Sequence, residues 1–396
     1  MNHSQSRKAH DLSAKPLSTW CRDRLDDLLG DVSMLVHQES PSSEKALLDK
    51  TADSITTWLR DRLGAPSQLT RHEHAEHGDL LEVTYAGSTE APVLMIGHYD
   101  TVWPAGTVDG WPFAVREDGT ATGPGIYDMK TGLVTGVWAL LALRAFDLPC
   151  PTVRFMFNGD EELGSPMSRP HIERAAPDCL ATLVLEPGVG WDVKAERKGV
   201  GIFTITTHGV EAHAGNNATD GASAIHALAE IIHRLTGEAD HERGTTINVG
   251  TMSGGTARNV IAGKAGCLID IRISDQAEAD RIDALFAGLR GSDPRVRVEI
   301  EGRWSRPPMR LTPESRRLFD LADEVAASVR APLEPISVGG GSDANFVSAL
   351  GLPVLDGLGA SGDGAHALHE HVIVDDIPDR VALVAGLLRR IADDAS

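Results

Sequence analysis

The chain has 396 residues, with 37 Lys+Arg against 57 Asp+Glu and a formal net charge of −20. That length allows two domains of ordinary size, each with a full core. Acidity on this scale repels phosphate backbones and anionic membrane surfaces, which argues against nucleic acid or a membrane as partner.

In chain order, the segment to about residue 64 reads as helices, because Leu25, Leu28, Leu29, Val32, Leu35 and Val36, then Leu47, Leu48, Ile55 and Leu59, recur at helical spacing. RHEHAEHGD, with His72, His74 and His77, invites a metal site but reads as a solvated surface segment. Residues 80–87 and 91–100 are strand-like, as are 152–160 and 179–188, and a helix from Met129 to about Phe146 lies between the two pairs. Strands separated by helices imply an α/β fold with a mainly parallel sheet flanked by helices.

From residue 199 the pattern becomes strand, helix, strand, strand, helix, strand, the ferredoxin-like α+β arrangement. Beyond residue 306 the chain returns to an α/β pattern with too few strands to fold alone. The expected organisation is therefore a first domain of residues 1–198 and 307–396, with the ferredoxin-like unit, 199–306, inserted.

Cys21, Cys150, Cys179 and Cys267 are far apart and form no CxxC pair. This predicts reduced thiols, with neither a disulfide framework nor a thiolate zinc site. No stretch approaches the roughly 20 apolar residues that span a bilayer. The first twenty residues lack the apolar run of a secretory signal, so a cytoplasmic location is expected.

Three strands of the first domain end in polar clusters. VLMIG runs into His98-Tyr99-Asp100, VRFMF into the stretch Asn158 to Glu162, and TLVL into Glu186. Sites in open α/β sheets lie outside the carboxyl ends of the strands. Asp128, in GPGIYDMKTG, adds a fourth acid at the start of the long helix. Carboxylates with imidazole suit zinc or its neighbours. Two Zn²⁺ would be balanced by Asp128, Glu162, Glu186 and one hydroxide, so the core could sit in a partly dry cleft. Glu162 is assigned to metal and its neighbour Glu161 to proton transfer. Asp100, two residues from His98 on the same face, is placed to accept that ring's spare N–H.

His98-x-Asp100, Gly-x-x-Asp128 before a Lys-containing helix, Gly-Asp-Glu161-Glu162 and Glu186-Pro-Gly together resemble the di-zinc exopeptidase family that includes glutamate carboxypeptidase and aminoacylases. The resemblance covers nearly the whole chain beyond about residue 90. It implies His98 and Glu186 on one zinc, Glu162 and His366 on the other, Asp128 bridging, and a cis peptide at Asp128–Met129. Co²⁺ or Mn²⁺ are possible substitutes. GAHALHEHV offers His366, His369 and His371. The family pattern of His, three residues, then Glu selects His366, paired with Glu370, over His369.

In the second domain the resemblance implies that His213, in VEAHAGN, reaches the reacting carbonyl across a homodimer interface. It implies that Asn259 and Arg272 line a pocket for the substrate carboxylate. Arg306 and Lys198 are further candidates, and Gly340 lies in GGGSD, which resembles a substrate-facing loop. HYDTVWPAGT, ERKGVG and GGTARNVI are similar to the glutamate carboxypeptidase branch. The expected activity is release of a C-terminal amino acid, with glutamate leading. An N-acyl-amino-acid deacylase is the alternative, and an inactive metal-dependent binding protein a remote one.

Overall fold

The structure is a computed structural model that describes residues 14–395. Part of the segment read for a secretory signal, residues 1–13, lies outside the described residues. The chain forms two compact units. The first comprises the described residues through Ala195, Leu311–Ile336, and the described residues from Leu350 onward, while the second comprises Glu196–Arg310 and Ser337–Ala349.

The first unit is built on a six-stranded sheet, in the order Gln68–His72, Leu80–Tyr85, Val153–Asn158, Val93–His98, Ala181–Val184, Val354–Leu355. Val93–His98 runs parallel to both its neighbours, and only the Leu80–Tyr85 strand opposes the rest. A strand covered on both faces needs apolar residues throughout, and all six positions of Val93–His98 are buried. The mainly parallel α/β sheet read from the sequence is thus the sheet observed.

Helix Thr131–Ala145 packs on this sheet with almost every residue buried. Gly132 permits the close approach, since a Cβ there would lie 2.0 Å from the Leu185 carbonyl oxygen. The contact brings the helix against the strand end that carries Glu186. One expectation needs correcting here. Ile126–Ala145 is long and apolar enough to cross a membrane, but 83% of the window is buried inside the unit, as in a core helix.

Two features of this unit went unread in the sequence. Gln68–His72 adds an edge strand to the main sheet. A second sheet joins Gly362–Asp363, His371–Ile373, Thr120–Thr122 and Ala114–Val115. Strands of two or three residues are too short to show alternation. RHEHAEHGD is only partly the solvated segment expected: His72 is half-buried, pairs with Glu82 at 2.9 Å and packs its ring on His171 at 4.1 Å.

The second unit carries an antiparallel sheet in the order Thr246–Gly254, Lys264–Ile273, Gly199–His208, Arg297–Arg306. Helices Ala224–Thr236 and Gln276–Ala287 start on capping side chains, Ser223 and Asp275. Their apolar faces meet the sheet in a core that includes Phe203, Ile205, Leu228, Ile231, Ile269 and Ile282. Chain order and sheet order together give the ferredoxin-like topology. Segment Ser337–Ala349, expected with the C-terminal part of the first domain, groups here instead. A buried Arg306–Asp343 ion pair at 2.8 Å holds it, as do hydrogen bonds from the Asn345 amide to the carbonyls of Pro307 (2.6 Å) and Lys198 (3.2 Å).

Candidate metal centre

Three adjacent parallel strands deliver the site. Val93–His98 ends on His98 itself, Val153–Asn158 leads into the turn Glu161–Leu163, and Ala181–Val184 leads into Glu186. The fourth segment is the irregular turn Ile126–Lys130 before the long helix, in which the Asp128–Met129 peptide is cis. The fifth is the loop between the small strands Gly362–Asp363 and His371–Ile373, which carries His366.

Asp128 stands at the middle. Its Oδ1 is 3.1 Å from Nε2 of His98, and its Oδ2 is 3.3 Å from Nε2 of His366. His366 Nε2 is also 3.2 Å from Glu162 Oε1, and His98 Nε2 is 3.6 Å from Glu186 Oε1. Ligand atoms of His98, Asp128 and Glu162 converge within 4.8 Å of one another, and so do those of His98, Glu161 and Glu186. His366 is the imidazole of the C-terminal cluster that reaches these acids, whereas His369 gives its carbonyl to the ring of His371. His366 occupies the left-handed region at φ 63°, uncommon for a side-chain-bearing residue.

The electrostatics call for cations. Burial alone would raise the Asp128 pKa, yet hydrogen bonds to His366 and His98 hold it well below the usual carboxylate range. Burial disfavours a charged His98, but Asp100 and Asp128 outweigh it and keep the ring well above its ordinary value. Asp128 and Glu162 push His366 up to about 10. Burial raises Glu162. Crowded carboxylates thus draw protons onto both imidazoles, and metal ions satisfy the same demand with the same nitrogen and oxygen donors. The donor set therefore fits a pair of divalent ions.

Residues around the ligands fix their aim. His98 Nδ1 donates to the backbone carbonyl of Asp100 at 2.9 Å, leaving Nε2 for the site. This modifies the expectation for Asp100, whose carboxylate lies farther from Nδ1, at 3.4 Å. That carboxylate chiefly grips the glutamate turn, accepting the N–H of Glu161 at 3.1 Å, the N–H of Glu162 at 3.2 Å and the Ser42 hydroxyl at 2.8 Å. Buried Asp160 closes the same turn by accepting Met167 N–H at 2.7 Å, Ser168 N–H at 3.1 Å and the Ser168 hydroxyl. The Tyr127 hydroxyl donates to the Gly188 carbonyl at 2.9 Å, tying the Asp128 turn to the Glu186 loop. Ser42 and Tyr127 went unread because their partners are distant in sequence.

In the second unit, the candidate residues fall into two groups. His213 and Asn259 lie on paired backbone segments, with Ala214 N–H donating to the Asn259 carbonyl at 2.9 Å, and both are exposed. Nδ1 of His213 accepts the N–H groups of Gly215 (3.1 Å) and Asn216 (3.0 Å), so a neutral ring carries its proton on Nε2. The others gather about the loop that contains Gly340. Arg272 forks onto Asp270 at 2.8 and 2.9 Å and approaches the Gly339 carbonyl at 3.4 Å. The backbone of Lys198 is bonded to Val338. Arg306, expected as a substrate contact, is buried and ion-paired with Asp343. Buried Arg197, one residue before the expected Lys198, donates to the carbonyls of Gly340 (3.1 Å) and Gly341 (3.2 Å).

Two imidazoles and a set of convergent carboxylates at the rim of an α/β sheet define a metal-dependent hydrolase. The chain belongs to the Peptidase family M20/M25/M40, which matches residues 94–390. It is 27% identical over 321 residues to carboxypeptidase G2 of Pseudomonas sp. (strain RS-16), covering 78% of this chain and 76% of that protein. It is 28% identical over 348 residues to a succinyl-diaminopimelate desuccinylase of Xanthomonas oryzae pv. oryzae, covering 81% of this chain and 89% of the relative. Its fold is similar to that of aminopeptidase PepT from Bacillus cereus ATCC 10987, with a TM-score of 0.77 at 19% identity over 93% of this chain and 99% of the other. The chain is a hydrolytic enzyme of the metallopeptidase and deacylase class.

Proposed function

We propose that this enzyme cleaves an amide bond to release a carboxyl-terminal amino acid, glutamate first among the candidates, and that it works with two zinc ions. His98 and Glu186 would hold one ion, Glu162 and His366 the other, with Asp128 shared. The observation that carries the reading is the placement of Asp128, with one oxygen toward each imidazole. Cobalt or manganese would fit the same donors.

When bound, the ions would supply Lewis-acid polarisation of the carbonyl and an acidified water. Glu161 takes the proton of the attacking water and passes it to the leaving amine. The turn that bears it is fixed at both ends, by Asp100 and by Asp160, so the carboxylate need not reorganise during the step. His213, with its proton on Nε2, donates to the oxyanion from the partner of a homodimer. The exposed edge strand Thr246–Gly254 is the proposed seam of that dimer. Arg272 and Asn259 bind the carboxylate of the released residue, with Lys198, Arg306 and Gly340 shaping the pocket. Four free thiols support a reducing, cytoplasmic setting.

Similarity to a desuccinylase favours a second reading, in which the enzyme removes a small acyl group from an amino acid. The two differ in the acyl side, so one experiment separates them. Zinc-loaded protein is offered peptidyl- and aroyl-glutamates, N-succinyl and N-acetyl amino acids, and the same acyl groups on neutral amino acids. Preference for glutamate across varied acyl groups supports the carboxypeptidase. Preference for one acyl group across varied amino acids supports the deacylase. Hydrolysis of none of them sinks both.

A further inference from the structure

Glu370 is fully buried, and its carboxylate takes no part in the chemistry described above. It lies four positions after His366, but its hydrogen bonds run elsewhere. Oε1 accepts the backbone N–H of Tyr127 at 2.9 Å and of Asp128 at 3.1 Å. Oε2 accepts the N–H of Gly125 at 3.1 Å and the indole N–H of Trp103 at 2.9 Å. Its own carbonyl accepts the Thr122 hydroxyl at 2.7 Å. One side chain therefore touches the segment that follows His98 and Asp100 and the turn that presents Asp128, while its backbone leads back to His366.

We propose that Glu370 is a positioning residue that sets Asp128 between the two imidazoles and locks the three ligand-bearing segments into one register. This rests on the reading of Asp128 as the shared ligand. The chemistry of the acceptor is what distinguishes positioning from filling space. Four N–H donors converge on two oxygens, and only a carboxylate offers acceptors on both. Glutamine has the same shape but turns an NH₂ toward one pair of donors. That leaves either Tyr127 and Asp128, or Gly125 and Trp103, facing a donor. If Glu370 merely filled space, glutamine would suffice.

The test uses the cobalt-substituted full chain, because the visible spectrum of Co²⁺ reports ligand geometry without any substrate. Glu370→Gln is expected to weaken binding of at least one ion about 10- to 100-fold and to alter that spectrum. At saturating metal, kcat should fall while KM stays within about threefold, since substrate contacts are untouched. Trp103→Phe removes one donor from the periphery and is expected to weaken metal binding about 2- to 10-fold, the scale of one hydrogen bond. Glu370→Gln with wild-type affinity and spectrum overturns the proposal, whatever its melting temperature. Should that variant fail to fold, Trp103→Phe decides on the same two readouts, and unchanged binding overturns it. A wild-type chain that binds two ions but cuts nothing defeats the hydrolase reading alone, because affinity and spectrum still judge Glu370. A wild-type chain that binds no cobalt defeats both.

Discussion

Asp100 accepts the backbone N–H of Glu162 at 3.2 Å, so the residue that follows the first imidazole by two positions holds the turn that supplies both glutamates. The same carboxylate takes the N–H of Glu161 and the hydroxyl of Ser42. Asp100→Ala leaves the buried Ser42 hydroxyl and the two half-buried turn N–H groups without their acceptor, at about 1–3 kcal/mol for the buried one and less for the others. The variant should melt several degrees lower and lose kcat together with metal affinity. A melting curve and a zinc titration check this, and wild-type values in both would remove Asp100 from the site.

Glu161 is assigned to proton transfer and not to metal binding. Glu161→Ala should therefore lower kcat about 10² to 10⁴-fold while both ions remain bound. Metal analysis of the purified variant alongside its rate separates the two roles. Loss of an ion would make Glu161 a ligand, and a near-normal rate would remove it from the mechanism.

The raised pKa of His366, about 10, makes metal binding compete with protons. At neutral pH an incoming ion must displace the proton that Asp128 and Glu162 draw onto the ring. Affinity should thus rise with pH up to about 10, with protons released in calorimetry across buffers of different ionisation enthalpy. Metal-free protein should show the opposite trend in stability. A group whose pKa is higher folded than unfolded stabilises fully below its unfolded value, near 6.5 for histidine, and that benefit fades as pH climbs through the folded value. The melting temperature of the metal-free chain should fall between pH 6.5 and about 10, and a flat profile would contradict the raised value.

Arg272 forks onto Asp270, and the pair lies beside the loop that holds Gly340. Arg272→Ala should raise KM for a glutamate-releasing substrate about 10- to 100-fold with little change in kcat, the signature of a lost binding contact. Arg272→Lys should recover only part of this, because an ammonium cannot make the bidentate fork. Equal KM values across all three proteins would leave Arg272 as a structural partner of Asp270.

Gly132 tests the packing beneath the candidate metal centre. A Cβ there meets the Leu185 carbonyl at 2.0 Å, a backbone atom that moves only if the strand end moves. Gly132→Ala should cost about 1–3 kcal/mol and displace the neighbouring Glu186, seen as lower melting temperature and weaker metal binding. A fully stable variant would show that helix and strand end can separate without consequence.

The sequence was most legible where covalent neighbours determine structure. Val93–His98 is buried on both faces, so its apolar run and the polar residues after it mark a strand and its functional end. The helices of the second unit show in the sequence as runs of recurring Ala, Ile and Leu, while their caps, Ser223 and Asp275, emerge only in the structure. Legibility failed where partners are distant. Nothing near Arg306 points to Asp343, yet that buried pair draws segment Ser337–Ala349 into the second unit. Glu370 was visible only as the residue four places beyond His366. Its donors Trp103, Gly125, Tyr127 and Asp128 lie between 242 and 267 positions away. The small sheet that brings them together has strands too short to leave a pattern.

The central claim is best tested by anomalous diffraction from crystals of the zinc-loaded chain. The account requires two peaks about 3.5–4 Å apart, one on the His98 side and one on the His366 side of Asp128. A single ion, or a pair that Asp128 does not share, would contradict it.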